Sequence, residues 1–192
     1  MSAFEEKAWL SSYAEWTPAE VDLGDDTLLD LYEETLSKRS YKNAMWFFGR
    51  TITYSELDKQ VRSCAAGLKA FGVRPGDRVA LVMPNCPQFV ISFLAVLRLG
   101  ASVVAHNPLY TAHELRGQFN DHGARVAIMW DKAVEELAVL RGDTPLETIV
   151  SVDMTKAMPK YMELALKYVP LKKLRESRKT VSYTHLRAHE TD

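Results

Sequence analysis

The sequence predicts an α/β domain whose mainly parallel sheet is flanked by helices. Two observations predict it. From residue 54 to 152 the pattern runs helix, strand, helix, strand, helix, strand, helix, strand, and strict alternation is the mark of βαβ construction. The connections are short, as crossovers in such sheets are.

Residues 1–26 read as a loosely held N-terminal arm. Leu28, Leu31, Tyr32 and Leu36 then share one face of a helix over 27–36. Ala44 to Phe48, Gly49-Arg50 and Thr51 to Thr53 read as strand, two-residue turn and strand, a hairpin. Thr53-Tyr-Ser-Glu56 is a capping box, in which Thr caps the helix and Glu reaches back. Leu57, Val61, Cys64, Ala65, Leu68 and Phe71 follow at helical spacing. Gly72 supplies a left-handed stop and Pro75 forbids restart.

Arg78 to Met83 is the next strand, and Pro84-Asn85 is expected to cap a buried helix from Cys86 to Leu99. Gly100 ends that helix and Ser102 to Ala105 is a short β-branched strand. Asn107-Pro108 is a rigid exit: Pro108 fixes its own φ and keeps Asn107 out of the helical region. Tyr110 is expected to pack, and Thr111-Ala-His-Glu114 to open a helix ending at Asp121-His122-Gly123. Arg125 to Trp130 is a strand, Ala133 to Leu140 a short helix and Thr148 to Val152 a last strand.

From Lys156 to Lys179 basic residues outnumber acidic ones and alternate with Tyr161, Leu164, Tyr168, Leu171 and Leu174. The preferred reading is a solvated pair of surface helices. The alternative is an amphipathic segment in peripheral contact with an anionic membrane.

The composition excludes several classes. The chain has 192 residues, 47% of them apolar, and a net charge of −1, so it can build a core and carries no overall signal for nucleic acid. The acidic, polar start lacks a signal peptide's basic and apolar regions, and the apolar run Phe89 to Leu97 is too short to span a bilayer. A cytoplasmic location is expected, with membrane association left open. Cys64 and Cys86 stand alone, outside any metal or disulfide pattern.

No phosphate-binding G-x-G-x-x-G or G-x-x-x-x-G-K-[ST] loop and no G-x-S-x-G elbow is present. His106, His113 and His122 lie 7 and 9 residues apart, which matches no metal-ligand spacing. His113 reads as a surface residue at a helix start and His122 as a last-turn cation favoured by the helix dipole. His106 ends a strand beside the Asn-Pro exit, where open α/β sheets place ligands; of the three it is the candidate for ligand contact, and a structural role is the preferred reading.

Four segments in order carry a resemblance. Ile52-Thr-Tyr-Ser-Glu-Leu57, Gly76-Asp-Arg-Val-Ala80, Met83-Pro-Asn85 and Leu97-Arg-Leu-Gly-Ala101 through Asn107-Pro-Leu-Tyr-Thr111 are similar to the adenylate-forming superfamily. The Asn107 to Thr111 wording looks most like its long-chain fatty acid–CoA ligases. The resemblance implies the N-terminal lobe of that fold, incomplete, over 27–180. It implies an AMP-forming ligase that activates a fatty acid with ATP and Mg²⁺ and passes the acyl group to coenzyme A. Fatty acid and coenzyme A would be its partners. The family's Ser/Thr/Gly-rich loop with its Lys, its Tyr-Gly-x-Thr-Glu segment, its ribose-binding acid and its C-terminal Lys have no counterpart here. Catalytic, cofactor-binding and metal-binding residues are therefore assigned to none of the 192 positions, and the chain alone is expected to be inactive. Two alternatives remain: a non-catalytic binding or regulatory half-domain, and the same superfamily acting on an aryl, dicarboxylic or amino acid.

Residues 181–192, Val-Ser-Tyr-Thr-His-Leu-Arg-Ala-His-Glu-Thr-Asp, have no period and break the resemblance abruptly. They read as a non-native, adapter-derived tail. His185 and His189 there lack the H-E-x-x-H order of a zinc site.

Overall fold

The computed structural model describes residues 6–21 and 24–168. The tail reading, His185, His189 and the part of the basic segment beyond Tyr168 lie outside the described residues.

After a short 3-10 helix at Ala8–Ser12, the first α-helix, α1, spans Leu28–Arg39. It starts with a capping box that the sequence reading passed over: Thr27 accepts from the Asp30 amide, and the Asp30 carboxylate reaches back to Thr27. Strands β1 (Asn43–Phe47) and β2 (Arg50–Thr53) form the antiparallel hairpin. Its turn is Phe48-Gly49, one residue earlier than expected, because Phe47 pairs with Arg50. Both turn residues have positive φ, +48° and +92°, as the two central positions of a type I′ turn demand. Gly49 takes the second position without cost, which forces a bulky Phe into the first.

Helix α2 (Tyr54–Ala70) opens with the expected Thr53–Glu56 box. Strand β3 (Arg78–Val82) leads into α3 (Pro87–Arg98). Asn85 is not its cap. Cys86 holds that position without a side-chain cap, and Pro87 stands in the first turn, where a missing N–H removes a donor that would have no partner. Strand β4 (Ser102–His106), helix α4 (Ala112–His122) and strand β5 (Val126–Trp130) follow, with the Thr111–Glu114 box in place. The single helix expected around 133–140 is two, α5 (Asp131–Leu137) and α6 (Leu140–Asp143). Strand β6 (Thr148–Val152) matches its expected bounds, and α7 (Lys160–Tyr168) falls inside the basic segment.

The four later strands form one parallel sheet in the order β4-β3-β5-β6. Successive side chains in a strand point to opposite faces, and the core divides accordingly. Val79, Leu81, Val126, Ile128 and Val150 face a cluster built with α2 and α3. Ala80, Val82, Ala127, Met129 and Ile149 face a second cluster built with α4, α5 and α6. Leu81 is fully buried, and such a side chain contributes about 1.5–3 kcal/mol by leaving water. Helices therefore cover both faces, as the apolar strand runs require.

Candidate functional site

The chain enters the sheet at β3, adds β4 on one side, then crosses back to add β5 and β6 on the other. The strand order reverses between β3 and β5, and ligands of open α/β sheets bind beyond the carboxyl ends of the strands at such a point. Registers place the residues of this edge. His106 pairs with Val82, Val82 with Met129, and Trp130 with Val152. Asn107, Met83, Trp130 and Val152 thus form one row, and Pro108, Pro84, Asp131 and Asp153 are the next residues outward.

The Asn107-Pro108 exit is held by its own backbone. Asn107 Oδ1 accepts the Leu109 amide at 3.0 Å, and the Asn107 carbonyl accepts the Tyr110 amide at 3.2 Å. Tyr110 does not pack as expected. It is 38% exposed and Leu109 78%, because the tight turn swings both away from the core on this edge.

On the opposite side of the edge three polar side chains converge that the sequence reading missed. Gln88 Nε2 donates to the Asp153 carbonyl at 3.2 Å and ties α3 to the end of β6. Asp153 Oδ1 accepts from the Thr155 amide and hydroxyl at 2.9 and 2.5 Å. Burial raises the Asp131 carboxyl above its ordinary value; Lys132, 3.4 Å away, lowers it in part and Asp153 pushes it further up. The signal was available, since each acid is the first residue after a strand. What was missing was the adjacency of β5 and β6.

This edge can accept hydrogen bonds from hydroxyl or amine groups. It does not fit a polyphosphate. Its carboxylates would repel one, and the positive-φ glycines 72, 76, 100 and 123 all lie on turns feeding the amino ends of strands. A cavity of about 130 Å³ sits at that other end, lined by Gly76, Arg78, Gly123 and Arg125 among others. It is remote from the carboxyl edge.

His106 is buried and both its ring nitrogens are engaged within the protein. Nδ1 lies 2.9 Å from Gln118 Oε1 and Nε2 lies 3.1 Å from His122 Nε2, while the ring stacks on Phe119 at 5.2 Å. Its role is structural. His122 is not the last-turn cation the sequence suggested. Burial, then the neighbouring His106, pushes its pKa down to about 4, so it is neutral. Leu115, Gln118, Phe119 and His122 recur at helical spacing, so the inward face of α4 could have revealed this pairing. His113 is exposed at the helix start, as expected.

Among the described residues no group of three or more His, Cys, Asp or Glu side chains could hold a metal ion. Burial pushes the Cys64 thiol up to about 11 and raises that of Cys86, which leaves both as unreactive thiols. No helix among the described residues is long and apolar enough to cross a membrane.

A family model described as AMP-binding enzyme matches residues 32–183. The long-chain-fatty-acid–CoA ligase of Bacillus subtilis is 39% identical over 126 residues, 66% of this chain and 22% of that protein. Its counterpart in Escherichia coli O6:H1 is 32% identical over 150 residues, 77% of this chain and 27% of that protein. The 4-coumarate–CoA ligase 3 of rice, Oryza sativa subsp. japonica, is 43% identical over 104 residues, 53% of this chain and 19% of that protein. Among solved structures, an anthranilate CoA ligase in complex with anthranoyl-AMP superposes with a TM-score of 0.62 at 28% identity, over 67% of this chain and 26% of its own. A long-chain-fatty-acid-CoA ligase from Archaeoglobus fulgidus gives 0.63 at 22% identity, over 72% and 31%, a likeness of fold. The chain spans about a quarter of the length of the curated relatives it matches.

Proposed function

The chain belongs to the AMP-binding enzyme family, and we propose that it forms the N-terminal part of a long-chain fatty acid–CoA ligase. The observation that supports this most is the extended identity with two bacterial long-chain ligases over 126 and 150 residues. In the proposed reaction a fatty acid carboxylate attacks the α-phosphorus of ATP and pyrophosphate leaves. The acyl-adenylate then passes its acyl group to the thiol of coenzyme A and AMP leaves. Mg²⁺ would neutralise phosphate charge.

The described residues supply scaffold to that chemistry. The parallel sheet fixes where strands β3, β4 and β5 end, and the Asn107-Pro108 exit forms one wall of the crevice. No phosphate cradle is present among them, so no step of the reaction is assigned to a residue here. Residues 27–180 are one part of the nucleotide-binding domain in this reading, and the 192-residue chain alone does not adenylate.

A second reading, an aryl-acid substrate, is favoured by the 43% identity to the rice 4-coumarate ligase over 104 residues. Acid-dependent ATP–pyrophosphate exchange tests both. The reading frame recovered from the source DNA by sequencing across codon 181 should exchange with hexadecanoate and not with 4-coumarate. Exchange with 4-coumarate alone would replace the fatty acid by an aryl acid. Exchange by the 192-residue chain itself would overturn its inactivity.

A further inference from the structure

A row of polar residues crosses the amino edge of the parallel sheet. Arg78 opens β3 and pairs with Ser102 of β4. Arg125 and Glu147 immediately precede Val126 of β5 and Thr148 of β6, which pair with one another, and Val126 pairs with Val79. Arg78, Arg125 and Glu147 therefore stand side by side, on strands about 4.8 Å apart. Two positions on, Ala80, Ala127 and Ile149 face the α4 side of the sheet, so the three charged residues project to that same side. Like charges on directly opposite positions destabilise a sheet, and two guanidinium groups are so placed here. Arg125 lies 4.0 Å from Glu147 with both side chains more than half exposed, a pairing that contributes little. The Arg78 guanidinium has no hydrogen bond or ion pair among the described residues.

Both arginines line the cavity of about 130 Å³ at this end of the sheet, together with Gly76, Asp77 and Gly123. A Cβ on either glycine would meet nothing within 4 Å, so the space between the two turns is open. The Asp77 carboxylate is held by the Arg74 amide at 2.8 Å. The Gly76 and Gly123 amides already donate to the Gly100 and Phe119 carbonyls. The donors the cavity offers are thus guanidinium N–H groups and not a loop of backbone amides.

We infer that this cavity binds a phosphoryl group, as free phosphate or as a small phosphate monoester, with Arg78 and Arg125 as its two cations. A tetrahedral dianion has oxygens enough to face two guanidinium forks at once, whereas a single carboxylate fills one. Its charge also relieves the repulsion between the neighbouring arginines. Both arginines are exposed at the mouth, which leaves the rest of a monoester free to extend into solvent. The site lies at the opposite end of the sheet from the proposed crevice and does not depend on the ligase reading.

Titration of the whole 192-residue chain tests it, following the amide resonances of Gly76, Arg78, Gly123 and Arg125 at fixed ionic strength. The probes are inorganic phosphate, glycerol 3-phosphate and acetate. Saturable shifts are expected with both phosphates, and an affinity for acetate about ten-fold weaker. Tighter binding of the free ion would assign the site to phosphate itself, and tighter binding of the ester to a monoester; either supports a phosphoryl site. Arg78→Gln should weaken phosphate binding about ten-fold, and Arg78→Lys less, since it keeps the charge and loses the fork. Arg125→Gln, at the second exposed position, should weaken it likewise, and an unchanged circular dichroism melt separates lost binding from lost fold. Absence of saturable shifts with both phosphates would overturn the inference, as would equal affinity for acetate. Undiminished binding by both Gln variants would also overturn it, by placing the anion elsewhere.

Discussion

His106 Nε2 and His122 Nε2 face each other at 3.1 Å, and the backbone decides which nitrogen holds each proton. The Ala124 amide donates to His122 Nδ1 at 3.0 Å. Neutral His122 therefore carries its proton on Nε2 and donates to His106 Nε2. His106 in turn carries its proton on Nδ1 and donates to Gln118 Oε1 at 2.9 Å. Every ring nitrogen is satisfied with both residues neutral, and a further proton on either ring would set two donors against each other.

Burial is the first cause lowering the pKa of both rings, and His122 is pushed from 6.5 to about 4. The unfolded chain takes up protons at higher pH than the folded one, so this pair's contribution is complete above pH 6.5 and declines as pH falls toward about 4. Ring ¹⁵N shifts should show an Nε2-protonated His122 titrating near 4. His106→Ala should move that titration toward 6.5, because it removes one of the lowering causes and admits water. An unchanged His122 titration in the variant would dismiss the coupling.

A second junction joins three helices. Arg98 Nη2 lies 3.1 Å from Glu33 and 3.3 Å from Asp58, and Arg62 Nε lies 2.6 Å from the other Asp58 oxygen. The Glu33 and Arg62 side chains are largely exposed, whereas Asp58 is 13% and Arg98 19% exposed. Exposed pairs contribute little. Removing Asp58 leaves the mostly buried Arg98 guanidinium with only the half-exposed Glu33 carboxylate, so Asp58→Ala should cost about 2 kcal/mol in urea unfolding. Glu33→Ala should cost less than about 0.5 kcal/mol. Equal losses from the two would show that burial does not set the strength of this junction.

What the sequence made legible follows from locality. The Thr53–Glu56 and Thr111–Glu114 boxes, the Gly72 and Gly123 stops and the strand Thr148–Val152 are written within a few neighbouring residues, and all stand where they were read. The hairpin turn was displaced by one residue because a left-handed Phe48 has no sequence signature. The order β4-β3-β5-β6 is not a local property, and everything that depends on it escaped notice. Asp131 and Asp153 are 22 positions apart and influence one another only because β5 and β6 pair. His106 and His122 are 16 apart and meet only because α4 folds back on the sheet.

The turn at Gly100 gives the last prediction. Its φ is +68°, and an added Cβ would lie 3.3 Å from Pro75 Cβ. The Gly100 carbonyl accepts the Gly76 amide at 2.8 Å, and the Ser102 amide donates to the Asp77 carbonyl at 2.8 Å. Two neighbouring turns are thereby stapled together, which sets the starts of β3 and β4 side by side. Gly100→Ala places an L side chain in a left-handed conformation and presses it on a rigid proline ring, so it should destabilise by at least about 1–2 kcal/mol. Gly142→Ala is the contrast. Gly142 lies within α6 with open space around it, and the substitution should stabilise by about 0.5–1 kcal/mol. Urea midpoints for the two variants should move in opposite directions. A Gly100→Ala midpoint at or above that of the parent would mean that the turn yields freely and does not set the strand register.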